Sequence, residues 1–189
     1  MKLGLKEFVH DVRSERYRFR QGIGGAFGAF LVVLAQPIWW GFTVGVVLVF
    51  GGALLRLWAA GRIRKSQVLE IHGPYAFVRH PQYLGNCLIA VGWCFACGYP
   101  WAVCIWAAIF YLFYIPAIRR EDDKLRRRFG EVWQMWHERT PAIVPAHWPA
   151  VNPDARPMGW SLVQAIRNGE PIWLILMLIG LLFIYLRLT

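Results

Sequence analysis

Residues 21–55 read QGIGGAFGAFLVVLAQPIWWGFTVGVVLVFGGALL, a run of 35 residues without a charged side chain. A second uncharged run, PQYLGNCLIAVGWCFACGYPWAVCIWAAIFYLFYIPAI, has 38 residues and occupies positions 81–118. A helix needs roughly 20 residues, at about 1.5 Å each, to cross a hydrocarbon layer about 30 Å thick. Each run therefore predicts two short membrane-spanning helices joined by a tight turn. Gln36-Pro37 and Gly98-Tyr99-Pro100 supply turn-forming residues near the two midpoints.

The composition of the whole chain agrees with a membrane protein. Its 189 residues are 57% hydrophobic and only 17% charged, with a mean hydropathy of +0.38. These values exclude a disordered chain and a soluble nucleic-acid-binding domain, although the net charge is +10. A last uncharged run, residues 171–186, is 16 residues long and predicts a fifth, short span. We expect an all-α integral membrane protein with about five transmembrane helices, four being the alternative.

Lysine and arginine are distributed unevenly along the chain. Six lie before the first span, four between Gly61 and Gln82, nine between Ala117 and Glu170, and none in either tight turn. Because cytoplasmic loops carry the excess of Lys and Arg, we predict a cytoplasmic N-terminus, two cytoplasmic loops and an outward-facing C-terminus. The charge favours membrane lipids as partners and not nucleic acid, which would require basic residues interleaved with exposed aromatics on one soluble surface.

These patterns divide a single membrane domain, residues 1–189, into consecutive segments. They are a cytoplasmic amphipathic N-terminus (1–22), spans 1 and 2 (23–60), a cytoplasmic loop (61–82), spans 3 and 4 (83–118), a cytoplasmic helix with a proline-rich flap (119–170) and span 5 (171–187). Neither the four cysteines, which all lie in spans 3 and 4, nor the five histidines have the spacing of metal ligands, so no metal site is predicted.

The loop before the third span has more polar features than a connector requires. It reads QVLEIHGPYAFVRHPQYLG from Gln67 to Gly85, and its proline at position 81 suits the first turn of a helix. The free N–H groups of that helix, beside Arg79 and His80, favour an anion site. The alternative is that both residues anchor the helix at the lipid headgroups, with Tyr75 and Tyr83 in the aromatic belt.

The segment after the fourth span has the pattern of an amphipathic helix. Apolar residues recur at helical spacing and form one stripe: Leu125, Phe129, Val132, Trp133 and Trp136. Glu121 and Asp122 fall at the two edges of this stripe, and Asp123 points away from it. A carboxylate at such an edge suits a cationic ligand, and the periodicity does not choose between Glu121 and Asp122. A solvated acidic cluster that pairs with the arginines at 126–128 is the alternative.

Taken together, these elements resemble the isoprenylcysteine carboxyl methyltransferase family of integral membrane enzymes, which is related to the phospholipid N-methyltransferases. The matching elements occur in the family's order on either side of a membrane hairpin, between about residues 67 and 145. They are Gly73-Pro74-Tyr75, Arg79-His80-Pro81-Gln82-Tyr83-Leu84-Gly85, Glu121-Asp122-Asp123-Lys124-Leu125, Phe129-Gly130 and Pro145.

The resemblance implies S-adenosyl-L-methionine as cofactor, bound at the cytoplasmic face between the loop before span 3 and the helix after span 4. Tyr75, His80, Pro81, Gln82, Tyr83 and Glu121 match the cofactor-binding positions, and Gln67, Val68, Leu69 and Glu70 occupy a cofactor-contacting stretch. Aromatic walls for the adenine are provided by Tyr75, Tyr83 and the face formed by the tryptophans at 133 and 136.

The methyl acceptor is less well defined by the sequence. Some family members carry a substrate-side arginine four residues before the glutamate, where this chain has Ala117, and Arg119 and Arg120 are the acceptor-side candidates here. A lipophilic or lipid-linked acceptor, most simply the carboxylate of an isoprenylcysteine-like acid, fits the resemblance, as does an amine or thiol. The other hypotheses are an NADPH-dependent enzyme resembling membrane sterol reductases and a non-enzymatic membrane scaffold.

Overall fold

The computed structural model describes residues 22–63, 68–146 and 159–189, and this part of the chain contains helices and no strand. The helices are α1 (Gly22–Val33), α2 (Trp39–Ala60), α3 (Pro74–Phe77), α4 (Pro81–Ala96), α5 (Ala102–Ile109), α6 (Ile115–Arg139), α7 (Leu162–Arg167) and α8 (Glu170–Tyr185). A π-helical turn, Phe110–Tyr114, joins α5 to α6 without a break. The all-α expectation is confirmed for the described residues.

Both predicted tight turns are present, and they lie side by side. The turn between α1 and α2 contains Gln36, whose backbone N–H donates to the carbonyl of Cys97 at 3.0 Å. Gly98 follows with φ of 84°, and a Cβ there would lie only 2.0 Å from the Gln36 carbonyl oxygen. Glycine is therefore required at 98 both by the backbone conformation and by the close approach.

Helices α2 and α4 pack closely because glycines face each other. A Cβ on Gly45 would lie 2.5 Å from the backbone nitrogen of Ala96 and 2.6 Å from the Gly92 carbonyl oxygen. A Cβ on Gly92 would lie 2.8 Å from the Gly45 carbonyl oxygen. Small residues that let two backbones approach are typical of helix pairs in membranes.

Two of the described helices are long and apolar enough to cross a membrane. They are Trp39–Ala60 and the continuous helix Ala102–Arg139, which has 38 residues. Gly22–Val33 and Glu170–Tyr185 are apolar but shorter. Membrane association is thus supported by two helices, and the count of five spans stays a prediction.

The long helix changes direction at Gly130, whose φ of 52° and ψ of −123° are not helical. One member of the predicted apolar stripe is affected: Val132 is 54% exposed, whereas Trp133 and Trp136 are buried. The prediction for Val132 was wrong, because its side chain points away from the cluster in which Trp133 and Trp136 pack with Leu125 and Phe129.

An ion pair joins α8 to the α2–α4 pair. The guanidinium of Arg56 donates to both carboxylate oxygens of Glu170, at 3.1 and 2.9 Å, and to the side-chain oxygen of Asn86. Arg56 and Glu170 are both buried. Gly85 leaves space for the arginine, since a Cβ there would lie 2.6 Å from its Cγ. The two hydrogen bonds from Arg56 give both oxygens of the buried Glu170 carboxylate a partner.

Candidate functional site

The start of α4 and the polar part of α6 meet through Asp122. Arg79 donates to one oxygen of this carboxylate at 3.1 Å, and Nε2 of His80 lies 3.0 Å from the other. The Asp122 side chain is only 14% exposed, and His80 is buried. Both carboxylate oxygens therefore have partners within the protein.

Arg79 is committed to internal contacts and does not face a free anion. Besides Asp122, its guanidinium donates to the carbonyl oxygens of His137 and Thr140, at 3.0 and 2.9 Å. Its backbone N–H donates to Pro141, and that of His80 donates to Ala142. The anion site expected at Arg79, like the alternative of a headgroup anchor, is wrong for this residue, because it is buried and clamps the end of α6 beneath the loop.

Glu121 has different surroundings from its neighbour. It accepts a hydrogen bond from the Tyr83 hydroxyl at 2.9 Å, through the same oxygen that lies 4.0 Å from Nδ1 of His80. Its side chain is 38% exposed, and the Asp123 side chain is exposed as well. Asp123 points outward as predicted, whereas Asp122 is turned inward and Glu121 lies at the rim.

Tyr75 lies in an apolar cluster with Ala59, Trp133 and Trp136. The indole N–H of Trp136 donates to the Tyr75 backbone carbonyl at 3.1 Å, which ties α3 to the end of α6. The Tyr75 hydroxyl has no hydrogen-bond partner within the described part of the chain. Burial raises the pKa of this phenol strongly, and the charges of Glu121, Glu70 and Glu170 raise it further. Tyr75 therefore stays a neutral hydrogen-bond donor.

The remaining predicted site residues differ from one another in burial and in contacts. Glu70 is buried and accepts from the backbone N–H of His72 at 2.9 Å. Leu69 packs beside Tyr75, and Val68 is exposed. Pro81 is buried at the start of α4 and Gln82 is half-buried; on α6, Arg119 is exposed and Arg120 half-buried. Gln67 and most of the proline-rich flap lie outside the described residues.

Besides Tyr75, two groups near the site have shifted pKa values. Burial tends to raise the pKa of Asp122, but the hydrogen bond from His80 and the charges of His80 and Arg79 outweigh it, and the pKa is lowered. Burial and the charge of Arg79 lower the pKa of His137. No sequence pattern pointed to His137, since its proximity to Arg79 depends on how α6 ends.

A sequence match to known proteins covers most of the residues of this candidate site. The sequence profile described as phospholipid methyltransferase matches residues 40–132, which include Tyr75, the segment 80–83 and Glu121. The chain is similar to this family over about half of its length. The family resemblance carried by the motifs is thereby confirmed, and the match ends one residue before Trp133.

The individual proteins to which the chain is similar have names from several functional classes. Nickel-cobalt-cadmium resistance protein NccN of Alcaligenes xylosoxydans xylosoxydans is 39% identical over 105 residues, 54% of this chain and 49% of the relative. Protein-S-isoprenylcysteine O-methyltransferase B of Arabidopsis thaliana is 29% identical over 119 residues, 57% of this chain and 60% of the relative. A Delta(14)-sterol reductase of Mus musculus is 30% identical over 83 residues, 41% of this chain and 19% of the relative.

The matched stretch thus spans about half the length of the first of these relatives, and less than two thirds of each. No solved structure matches the chain. Among the described residues, no three His, Cys, Asp or Glu side chains are grouped so as to hold a metal ion.

Proposed function

We propose that this protein is an S-adenosylmethionine-dependent methyltransferase that acts on a lipophilic acceptor drawn from the membrane. One observation carries the proposal: of two adjacent carboxylates, Asp122 is held internally, whereas Glu121 stands at the rim beside His80 and Tyr83. A half-exposed carboxylate beside a buried aromatic cluster suits a ligand with a cationic end and a flat apolar end.

The residues present fit this cofactor. Glu121 would hold its ammonium group, and the Tyr83 hydroxyl, which donates to Glu121 at 2.9 Å, would fix the carboxylate in place. Asp122 would position His80 and would not bind the cofactor itself. Leu69, Tyr75 and the apolar cluster would receive the nucleoside, and Glu70 would contribute negative potential from behind Tyr75.

When bound, S-adenosylmethionine supplies a methyl group that is already activated on a sulfonium. The protein then has to align an acceptor with that methyl group and keep water away, which the buried side of the site favours. A carboxylate acceptor needs no strong base, and Arg119 or Arg120 would be its electrostatic partner. An amine acceptor would have to lose a proton, for which His80, Glu121 and Asp122 are the candidates.

The orientation proposed from the charges places this site at the cytoplasmic face. Loop 61–82 and the charged part of α6 carry basic residues, and the two tight turns carry none. The five-span arrangement would use α1, α2, α4, the apolar start of the long helix and α8. An acceptor dissolved in the bilayer would then reach Glu121 sideways between helices.

Calorimetry in detergent tests the proposal directly. S-adenosylhomocysteine, the demethylated product, should bind the purified protein, and Glu121→Gln should weaken binding at least about 10-fold through loss of a charge-assisted hydrogen bond. Asp123→Asn removes a neighbouring exposed carboxylate and should leave the affinity unchanged. If the unaltered protein binds neither S-adenosylmethionine nor its product, the proposed function is wrong.

The acceptor is identified by a second experiment. Labelled S-adenosylmethionine is incubated with the protein and a membrane lipid extract, and the labelled product is analysed by mass spectrometry. A labelled ester indicates a carboxylate acceptor, and a labelled amine or thioether indicates the N- or S-methyltransferase alternative.

A reductase is the second candidate, because the mouse sterol reductase is 30% identical over 83 residues. Protection by NADPH in a thermal-shift assay, without protection by S-adenosylhomocysteine, would favour it.

A further inference from the structure

The ring of His80 lies between the internal carboxylate of Asp122 and the rim carboxylate of Glu121. Its Nε2 lies 3.0 Å from an Asp122 oxygen, and its Nδ1 lies 4.0 Å from Oε2 of Glu121. The backbone N–H of His80 donates to the Ala142 carbonyl at 2.9 Å, and the side chain is 2% exposed. A separation of 4.0 Å is too long for a hydrogen bond, so the two ring nitrogens have different surroundings.

The state of Asp122 indicates which ring nitrogen of His80 carries the proton. Burial tends to raise the pKa of Asp122, but the hydrogen bond from His80 and the charges of His80 and Arg79 lower it, so the carboxylate is ionised. An ionised carboxylate only accepts hydrogen bonds, and Nε2 is therefore the donor. In a neutral imidazole the other nitrogen is an acceptor, so Nδ1 presents a lone pair on the side of Glu121.

The other two candidate bases of the site are less suitable. Both oxygens of Asp122 have partners, and its lowered pKa makes it a weak base. Glu121 accepts from the Tyr83 hydroxyl, and the proposed function assigns it to the ammonium group of the cofactor. Nδ1 of His80 has neither commitment.

Resting on the proposed function, we propose that Nδ1 of His80 is the base that takes the proton of an acceptor with an N–H or S–H group. The acceptor's lone pair forms a bond to the methyl carbon, and the carbon–sulfur bond breaks with its electron pair passing to sulfur. The acceptor's proton forms a bond to Nδ1, and Asp122 stabilises the resulting imidazolium through Nε2–H. Half-exposed Glu121 would then return this proton to water.

The charges around Nδ1 favour this kind of acceptor over a carboxylate. Glu121 and Asp122 are both negative, and the guanidinium of Arg79 is occupied by internal acceptors. Arg119 is exposed. A carboxylate brought beside Glu121 would be repelled, whereas a neutral amine or thiol would not. In this arrangement Asp122 is a positioning residue for His80, and Arg79 holds Asp122.

Histidine ¹⁵N NMR of the ligand-free protein in detergent tests the tautomer without any turnover. At about pH 7.5 we expect the His80 ring to carry a proton on Nε2 and none on Nδ1, and loss of one signal in His80→Gln assigns it. A proton on Nδ1, or on both nitrogens, would overturn the inference. This measurement also decides the matter if His80→Gln fails to fold.

The base itself is tested by the rate with labelled S-adenosylmethionine at saturation and a membrane lipid extract. His80→Gln keeps an amide N–H that can donate to Asp122 and removes the Nδ1 lone pair. The rate should fall about 100-fold or more, while the affinity for S-adenosylhomocysteine stays unchanged. His72→Gln alters a histidine that also lies beside a carboxylate, 3.3 Å from Glu70, and should keep the parent rate.

The pH profile separates a base from a structural residue. The parent rate should fall on acidification, since protonation of Nδ1 removes its lone pair, and this fall should be absent from the residual rate of His80→Gln. The other charged or titratable groups around His80 are Arg79, Tyr83, Glu121 and Asp122, together with His137, whose charge acts on Asp122. The same acid dependence in variant and parent would assign it to one of these groups and contradict the role of His80.

Three outcomes of the rate experiment overturn the inference while the proposed function stands. They are a labelled methyl ester as the product, because a carboxylate acceptor has no proton to give, an unchanged rate in His80→Gln, and a loss of S-adenosylhomocysteine affinity without a loss of rate at saturation. Absence of S-adenosylhomocysteine binding to the unaltered protein contradicts the proposed function itself.

Discussion

Glu121 and Asp122 are neighbours in the chain, yet their carboxylates have different partners. Asp122 is bound by Arg79 and His80, and Glu121 is bound by Tyr83 and remains 38% exposed. One carboxylate thus holds two elements together, and the other is free to meet a ligand. This division of roles would place the proposed cofactor-binding carboxylate, Glu121, on a rigid support.

Replacing Asp122 should therefore affect stability first. Asp122→Asn removes the charge that pairs with buried Arg79, and we expect a loss of roughly 2–3 kcal/mol. For a chain of this size that corresponds to about 5–10 °C in melting temperature. Asp123→Asn, at the exposed neighbouring position, is the control and should melt like the unaltered protein. Equal melting temperatures for the two variants would contradict the assigned role of Asp122.

His137 should make stability depend on pH. Burial and Arg79 lower its folded pKa below the usual 6.5, so the unfolded chain binds more protons between the two values. Its contribution to stability is thus complete above pH 6.5 and is lost as the pH falls below it. His137→Gln should reduce the drop in melting temperature between pH 7.5 and 5.5. An identical drop in variant and parent would show that His137 does not titrate on unfolding.

The sequence predicted part of the candidate site at the level of single residues. Helical periodicity correctly predicted that Glu121 and Asp122 border the packed face and that Asp123 does not. Periodicity could not assign the roles of Glu121 and Asp122, because these roles depend on contacts with Arg79 and Tyr83, which lie outside α6. Arg79 itself was misjudged, since its acceptors are backbone carbonyls at the end of α6, and no side-chain pattern reveals them.

Among the elements, the long helix Ala102–Arg139 is the one that connects the apolar part of the fold to the site. The π-helical turn at Phe110–Tyr114 and the bend at Gly130 divide it into three parts. Beyond Gly130, the last part turns Trp133 and Trp136 toward Tyr75. The bend was not predictable, because a single glycine in a helical pattern is usually tolerated without one.

Gly130→Ala should weaken this arrangement through the backbone alone. A Cβ at Gly130 meets nothing within 4 Å, but its φ of 52° is unfavourable for alanine, at about 1–2 kcal/mol. Gly51→Ala in α2 is the matched control, since its Cβ also meets nothing within 4 Å and φ there is not positive. We expect a lower melting temperature and weaker S-adenosylhomocysteine binding for Gly130→Ala only. Similar behaviour of both variants would contradict a required bend.

The close contact between α2 and α4 should make the stability of the protein sensitive to a side chain at Gly45. Gly45→Ala would place a Cβ 2.5 Å from the Ala96 backbone nitrogen, so the helices would have to separate. The melting temperature should fall, again relative to Gly51→Ala on the same helix. An unchanged value would mean that the pair can move apart without cost.

At the scale of the whole molecule, the two tight turns meet through Gln36 and Cys97. The polar site lies elsewhere and is built from the loop before α4, the start of α4 and the polar part of α6. The uncharged runs predicted the hairpins and their turns because charge is excluded from a hydrocarbon layer. They did not predict that Arg56, inside α2, pairs with Glu170, since an arginine near a helix end usually reaches toward the headgroups.

The proposed orientation can be tested by labelling single cysteines in a chain without its four native ones. Pro100→Cys, in a bare turn, should react with an impermeant maleimide on intact cells. Arg127→Cys, on the exposed face of α6, should react only after permeabilisation. The reverse pattern would place the site on the outer side.

The pair between Arg56 and Glu170 has a consequence for biogenesis. Arg56 is synthesised 114 residues before Glu170, whose carboxylate neutralises its charge. Until then the guanidinium has the Asn86 amide as its side-chain partner from the neighbouring helix, and an unpaired charge within a membrane helix is costly. Docking of α8 thus neutralises Arg56, and a chain truncated before Gly169 would keep an uncompensated cation within α2.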